Sequence, residues 1–157
     1  MTRSCGWAGL AVILLGSVGA PSAAAQRTAV DTVTDVLTAF AAFTQDKNVA
    51  GLDTLMAPDS WVQIIEGAGM DQGWVDYRDH HLVPELAEFA NFRYRYLAIE
   101  PQVRGAVAWA PFRYELAADT PRGHAEVEGR GTAVLERRDG RWVIVHLHTS
   151  GRRKPAN

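Results

Sequence analysis

The first part of the chain carries apolar residues at the spacing of an amphipathic helix. Val30, Val33, Leu37 and Phe40 are three or four positions apart. Residues at this spacing share one helical face. The pattern predicts a helix over residues 28–46 that buries this face in the core.

A second helical region is predicted in the segment DQGWVDYRDHHLVPELAEF. Trp74, Tyr77, His81 and Glu85 form its stripe, again three or four residues apart. Pro84 lies inside this segment. Proline lacks a backbone N–H and clashes with the carbonyl of the preceding turn. We therefore expect a kink, or two short helices that meet at this proline.

The second half of the chain is rich in β-strand patterns. Predicted strands are WVQIIEG, before the second helical region, and then FRYRYLAIE, VRGAVAWAPFRYELA, HAEVEGRGTAVLERR and RWVIVHLHTS. Asp139 and Gly140 separate the last two and form a strong hairpin signal. Helices followed by antiparallel strands predict an α+β fold, with the helices packed on one curved sheet.

The N-terminal segment has the features of a signal peptide. Arg3 precedes an apolar run over residues 7–20, and Ala23-Ala24-Ala25 supplies small residues for cleavage. The run is shorter than the ~20 residues of a spanning helix. We therefore expect a signal peptide over residues 1–25, a periplasmic or secreted protein, and no membrane span. Cys5 is the only cysteine, so the mature chain can form no intramolecular disulfide.

Charge and length restrict the remaining possibilities. We expect one domain over residues 26–151 and a basic tail over residues 152–157. Without Arg3, the 16 basic residues become 15 against 18 acidic ones, which gives a mature formal charge of −3. This balance is unlike the basic surface that nucleic-acid binding requires, so we expect no nucleic-acid partner.

The C-terminal hairpin carries a family resemblance. The ending GTAVLERRDGRWVIVHLHTSGR contains Trp142 followed by His146-x-His148-x-Ser150. It resembles the SnoaL-like branch of the nuclear transport factor 2-like superfamily, and also the association domain of calcium/calmodulin-dependent kinases. The resemblance implies a cone-shaped α+β barrel, in which N-terminal helices cover a curved antiparallel sheet and a pocket opens at the wide end. It also implies pairing of two subunits through the outer sheet face.

Strict alternation along the last strand divides its side chains between two faces. Trp142, Ile144, His146 and His148 share one face, which we expect to line the inside of the cone. The other face is also apolar. Because the resemblance implies pairing through the outer sheet face, we expect this face and part of the neighbouring strand to form a homodimer surface. The residues of this predicted surface are Val143, Val145, Leu147, Ala133 and Leu135.

The pair of histidines leaves several functions open. In the first, both histidines have a purely structural role, as in an association module. In the second, they are polar points in a pocket for a small, largely apolar molecule, with no cofactor. The residues expected to line this pocket are Trp74, Tyr77, His81, Trp109, Arg113, His146 and His148. Glu66 and Asp71 flank a glycine-containing loop near its expected mouth.

Two further alternatives give the histidines a chemical role. His146 or His148 is a candidate general acid or base of an isomerase, cyclase or dehydratase, because imidazole titrates near neutral pH. A metal-binding protein is the other alternative. Its candidate ligands for zinc or copper are His80, His81, Glu85, His146 and His148. The sequence does not decide whether the protein is an enzyme.

Overall fold

The structure is a computed structural model that describes residues 22–155. Most of the predicted signal peptide therefore lies outside the described residues. Four α-helices and one π-helical turn are present in this range: α1 (Ala23–Gln45), α2 (Val49–Leu55), α3 (Trp74–Tyr77), the π turn (Arg78–Leu82) and α4 (Val83–Glu88). Seven strands are present: β1 (Gln63–Glu66), β2 (Gly69–Gln72), β3 (Ala90–Leu97), β4 (Gln102–Arg104), β5 (Val107–Thr120), β6 (Gly123–Arg138) and β7 (Arg141–Arg153).

All seven strands belong to one curved sheet. Their order is β2-β1-β7-β6-β5-β3, and β4 pairs with β5 outside this path. The β1–β7 pair is parallel and the other pairs are antiparallel. Helix α1 packs against β3, β4 and β7. The predicted α+β fold, with helices on one side of a curved sheet, is confirmed.

Helix α1 confirms the predicted apolar stripe but begins earlier than expected. Val33, Leu37 and Phe40 are buried in the core. The helix begins at Ala23 because the Ser22 hydroxyl accepts a hydrogen bond from the Ala25 N–H at 3.2 Å. Residues 23–25, part of the predicted cleavage site, therefore form its first turn. Within residues 22–155, no helix has the length and apolar character needed to cross a membrane.

A β-bulge in the last strand corrects the predicted direction of its histidines. Leu135 pairs with Ile144, but the preceding residue Val134 pairs with His146, so Val145 is an extra residue. One extra residue reverses the alternation beyond it. Trp142 and Ile144 are buried in the core as predicted, whereas His146 and His148 lie on the outer face.

Exposure and pairing agree with this reversal. Leu147 and Thr149 are buried, with exposed fractions of 3% and 5%. Leu147 lies between Ala133 on β6 and Ile64 on β1, which are both fully buried. His148, the residue between Leu147 and Thr149, is exposed. The expectation that both histidines line the inside of the cone is therefore wrong.

The residues of the predicted homodimer surface are also corrected. All five are buried within the single chain, with at most 7% of their surface exposed: Val143, Val145, Leu147, Ala133 and Leu135. The outer face instead carries Trp109 and Arg113, which alternate along β5 with the buried Ala110 and Phe112. The prediction that Trp109 and Arg113 line the pocket is wrong, because the alternation of β5 directs both side chains outward.

Glycines on β6 allow aromatic rings of β5 to lie flat on the inner face of the sheet. A Cβ atom at Gly131 would lie 2.3 Å from the ring of Phe112, and one at Gly129 would lie 2.3 Å from the ring of Tyr114. Phe112 in turn stacks on Tyr96, with 3.9 Å between ring centroids. These rings form an aromatic layer between the sheet and α1.

Candidate functional site

A small cavity lies between the inner face of the sheet and helices α1 and α4. Its volume is about 40 Å³, which holds a few water molecules at most. Phe40, Tyr77, Phe89, Phe92 and Tyr94 form aromatic walls. Two carboxylates, Glu66 and Glu85, also reach it. The cavity is therefore apolar, with charged groups concentrated on one side.

A larger hollow on the outer face of the sheet has a different character. It has a volume of about 570 Å³ and lies among Arg113, Arg130 and Arg152. No apolar side chain lines it among the described residues. Apolar ligands bind in enclosed clefts with apolar walls, so we place the candidate site in the inner cavity.

Four polar side chains meet at one side of the inner cavity. Glu66 ends β1, and Asp71 lies on β2 opposite Ile64. The Tyr77 hydroxyl, from α3, donates a hydrogen bond to Glu66 Oε1 at 3.0 Å. His81 Nδ1, from the π turn, lies 3.0 Å from Asp71 Oδ2, and its Nε2 lies 3.4 Å from Glu66 Oε2. These contacts form a continuous chain from Asp71 through His81 and Glu66 to Tyr77.

The π turn determines which of the two adjacent histidines reaches this chain. The Val83 N–H donates to the carbonyl of Arg78, five residues earlier. This wide turn precedes Pro84 and joins two short helices, which confirms the predicted interruption. π turns of this kind occur often at functional sites. His81 is directed towards Glu66 and Asp71, while His80 is exposed and pairs with Asp76 at 3.0 Å.

Burial and neighbouring charges change the pKa values of the site. Burial raises the pKa of Glu66, although the Tyr77 hydrogen bond and the charge of His81 partly oppose this effect. Burial alone would lower the pKa of His81, but the Asp71 hydrogen bond and the charges of Glu66 and Asp71 raise it above its ordinary value. Burial and the charge of Glu66 also raise the pKa of Glu85.

This arrangement is suited to proton transfer. A carboxylate only accepts hydrogen bonds, so Asp71 holds the proton on His81 Nδ1. In the neutral imidazole, Nε2 then carries the lone pair and faces Glu66. Asp71 also stabilises the imidazolium that forms when Nε2 takes up a proton. Perturbed acid and base groups that meet in a cleft are typical of functional sites.

The structure assembles only part of the predicted pocket. Tyr77 lines the cavity as expected, and so does Glu85, which was predicted only as a metal ligand. His81 does not line the cavity but contacts Glu66, which does. Trp74 lies next to Tyr77, with 5.9 Å between ring centroids, and its indole N–H donates to Asp53 at 2.7 Å. It is buried in the core but does not line the cavity. Trp109, Arg113, His146 and His148 lie on the outer face.

The predicted set of metal ligands is also corrected. His146 and His148 are separated from His81 and Glu85 by the sheet, because their side chains leave its opposite face. His80 is directed to solvent. Among the described residues, the group that has metal-ligand spacing combines Glu66 with His81 and Glu85.

Sequence reasoning did not assign roles to Glu66, Asp71 and Tyr94. The loop between Glu66 and Asp71 was expected at the pocket mouth, but nothing in the sequence indicated that both carboxylates meet His81. The short spacing of Glu66 and Asp71 was a signal that the two carboxylates lie near each other, because they flank a tight turn between the paired strands β1 and β2.

The chain belongs to the SnoaL-like domain family, whose family model matches residues 33–152. A nuclear transport factor 2-like superfamily protein from Salmonella enterica serovar Typhimurium LT2 superposes with a TM-score of 0.74 at 19% identity, covering 83% of this chain and 95% of that one. The fold and the family model together confirm the resemblance.

Two other similar structures are of proteins named as enzymes. A candidate ketosteroid isomerase from Shewanella frigidimarina NCIMB 400 superposes with a TM-score of 0.67 at 25% identity, covering 77% of this chain and 97% of that one. A hexachlorocyclohexane dehydrochlorinase from Novosphingobium barchaimii LL02 gives a TM-score of 0.66 at 15% identity, covering 82% and 88%. The comparison with curated proteins gave no match.

Proposed function

We propose that this protein binds a small, largely apolar molecule in the inner cavity and moves a proton on it without a bound cofactor. The reaction class would be an isomerisation or an elimination such as a dehydration. The observation that carries this proposal is the chain Asp71–His81–Glu66, in which one imidazole lies between two carboxylates. The isomerase and dehydrochlorinase among the structural neighbours are consistent with this class.

Each residue of this chain has a distinct role in the proposal. His81 Nε2 is the general base. An imidazole suits this role because, near neutral pH, part of it is deprotonated and its nitrogen is still basic enough to accept a proton. Asp71 is a positioning residue that fixes the tautomer and stabilises the imidazolium. Glu66 has a raised pKa and returns the proton as a general acid. Tyr77 holds the carboxyl group of Glu66 in place through its hydroxyl.

Access to the cavity requires movement of side chains. Cavities that enclose small ligands have volumes of about 300–1,000 Å³, well above the 40 Å³ found here. Phe89 and Phe92 line the cavity, are only partly buried, and contact each other with 5.3 Å between ring centroids. We propose that this pair moves apart when the ligand binds.

Exchange of α-protons into D₂O tests the proposed chemistry. A panel of small apolar ketones is incubated with the protein, and the loss of the α-proton signal is followed by NMR. We expect exchange above the buffer rate, and a decrease of about 10²–10⁴-fold in His81→Gln. His148→Gln is the matched control, because its imidazole lies on the outer face, and it should keep the wild-type rate.

The outcomes separate the proposed roles. Wild-type exchange at the buffer rate with all ketones would contradict proton transfer, and so would an unchanged rate in His81→Gln. A loss of exchange in His148→Gln would contradict the position of the site. Asp71→Asn should lower the pKa of His81 and move the acidic limb of the pH–rate profile to lower pH.

We further propose that the chain forms a homodimer through the outer face of its sheet. Trp109 and Val107 expose 39% and 42% of their surface there, and Val134 lies opposite Trp109 on β6. Trp109→Lys should shift sedimentation equilibrium towards monomer. Trp61→Lys is the control, because Trp61 precedes β1, outside the sheet, and is 49% exposed. An unchanged dimer in Trp109→Lys, or a monomeric wild type, would contradict this interface.

Export remains part of the proposal. The signal-peptide pattern over residues 1–25 supports a periplasmic or secreted protein. N-terminal sequencing of protein recovered from a periplasmic extract tests it. A mature N-terminus close to residue 26 would support export, whereas a chain that retains Met1 in the cytoplasm would contradict it.

A further inference from the structure

We propose that Glu66, His81 and Glu85 form a binding site for a divalent transition metal ion such as zinc. One imidazole nitrogen and two carboxylate oxygens would supply three protein ligands. This inference rests on the positions of ligand atoms, not on the proposed proton transfer, and it goes beyond that function. If both hold, zinc inhibits the reaction, because it occupies the Nε2 lone pair of His81.

The ligand atoms converge from three different elements. Glu66 ends β1, His81 belongs to the π turn, and Glu85 lies on α4, four residues after His81. One ligand atom from each residue lies within 4.8 Å of the others. Zinc binds nitrogen and oxygen at about 2.1 Å, so tetrahedral ligands lie roughly 3.4 Å apart. The Glu66–His81 pair already has this separation, and the ligand atom of Glu85 lies within 4.8 Å of both.

The surrounding hydrogen bonds leave the required lone pairs free. Asp71 engages Nδ1 of His81, which fixes the tautomer whose Nε2 can bind an ion. A carboxylate behind a metal-binding histidine is a recurrent arrangement, because it orients the ring and increases its basicity. Tyr77 donates to Oε1 of Glu66, while Oε2 is the oxygen that lies near His81 Nε2.

The charges of the site also favour a cation. Burial raises the pKa of Glu66 and of Glu85, and each carboxylate is destabilised further by neighbouring negative charge. A divalent ion compensates this repulsion directly. Zinc accepts both imidazole nitrogen and carboxylate oxygen, and three protein ligands leave its fourth position open. Magnesium prefers oxygen ligands in an octahedron and should bind poorly.

Calorimetric titration tests the site without any substrate. Untagged protein is treated with EDTA, dialysed and titrated with ZnCl₂, and its melting temperature is recorded with and without zinc. We expect one zinc per chain and a higher melting temperature with zinc, with no comparable effect of MgCl₂. Glu85→Gln and His81→Gln should each weaken zinc binding at least 10-fold, and Asp71→Asn about 10–100-fold.

His80→Gln is the matched control for this titration. His80 is adjacent to His81 but exposed, so the substitution should leave zinc affinity unchanged. Absence of zinc binding, unchanged affinity in Glu85→Gln, or a loss in His80→Gln would each overturn the inference. Glu85 reaches the cavity from its edge and still has a solvent-exposed part, so its variant should fold, and circular dichroism verifies this. Because no ketone is present, a negative titration leaves the proton-exchange result unaffected, and the reverse also holds.

Discussion

Replacement of Gly131 by alanine tests the packing of the aromatic layer between the sheet and α1. The added Cβ would lie 2.3 Å from Phe112 Cζ, 2.6 Å from Cε2 and 2.9 Å from the carbonyl oxygen of His148. Ordinary carbon–carbon contacts are about 3.5–4.0 Å. The ring of Phe112 would therefore have to retreat by roughly 1 Å or more. It cannot do so freely, because it is 3% exposed and stacks on Tyr96.

The expected magnitude follows from two opposing effects. Overpacking of a dense core costs about 1–3 kcal/mol. Replacement of glycine by alanine recovers about 0.4–1 kcal/mol, because the unfolded chain has fewer accessible conformations. We therefore expect Gly131→Ala to lower the free energy of unfolding by about 1–2 kcal/mol. Gly69→Ala is the matched control, because its Cβ would meet only the Glu66 carbonyl oxygen, at 3.5 Å, and it should not destabilise the protein.

Urea denaturation followed by tryptophan fluorescence measures both variants. Gly131→Ala should have a lower midpoint with an unchanged m-value. The double variant Gly131→Ala/Phe112→Leu should lose less stability than the sum of the single variants, because the smaller side chain makes room for the methyl group. Equal stability of Gly131→Ala and Gly69→Ala, or additive effects in the double variant, would refute the reasoning.

Two predictions concern the titrating groups. Glu66, Glu85 and His81 each have a raised pKa in the folded protein, so each stabilises the fold below its ordinary pKa and loses this contribution as pH rises through its folded value. The free energy of unfolding of the wild type should therefore fall as pH rises above 4.5, the ordinary pKa of glutamate, and Glu66→Gln should show a smaller fall. Urea titrations at a series of pH values measure both. A difference between the two proteins that is the same at every pH would contradict this. The pKa of His146 is lowered, so its contribution to stability changes with pH in the opposite direction. This contribution is the same in the wild type and in Glu66→Gln. Tyr77→Phe should raise the pKa of Glu66 further, because the Tyr77 hydrogen bond lowers it, and carboxyl ¹³C NMR measures the change; a lower pKa would contradict the assigned hydrogen bond.

Periodic segments of this sequence predict the fold well. The stripe of α1 contains Val33 and Leu37, which are fully buried, because a helix that packs on one side requires this spacing. Asp139 and Gly140 both have positive φ angles, of 49° and 80°, as the predicted two-residue hairpin demands. Such features depend on residues that are close in sequence, so the sequence contains the information directly.

The position of the site was harder to predict for a physical reason. Both faces of β7 are apolar from Trp142 to Val145, so alternation gives no sign of the bulge at Val145. That single extra residue moves His146 and His148 to the outer face. His81 was found through its helical stripe, whereas its contacts with Glu66 depend on how distant segments pair.

The parallel pairing of β1 with β7 also affects the order of folding. Glu66 pairs with Thr149, two residues separated by 83 positions in the sequence. Closure of so long a loop has a high entropic cost and slows folding. The Glu66 carboxyl group therefore reaches its position only after β7 has joined the sheet. We expect the helices and the β5–β6–β7 meander to form first, and the contact between Glu66 and His81 to be among the last that the folding chain makes.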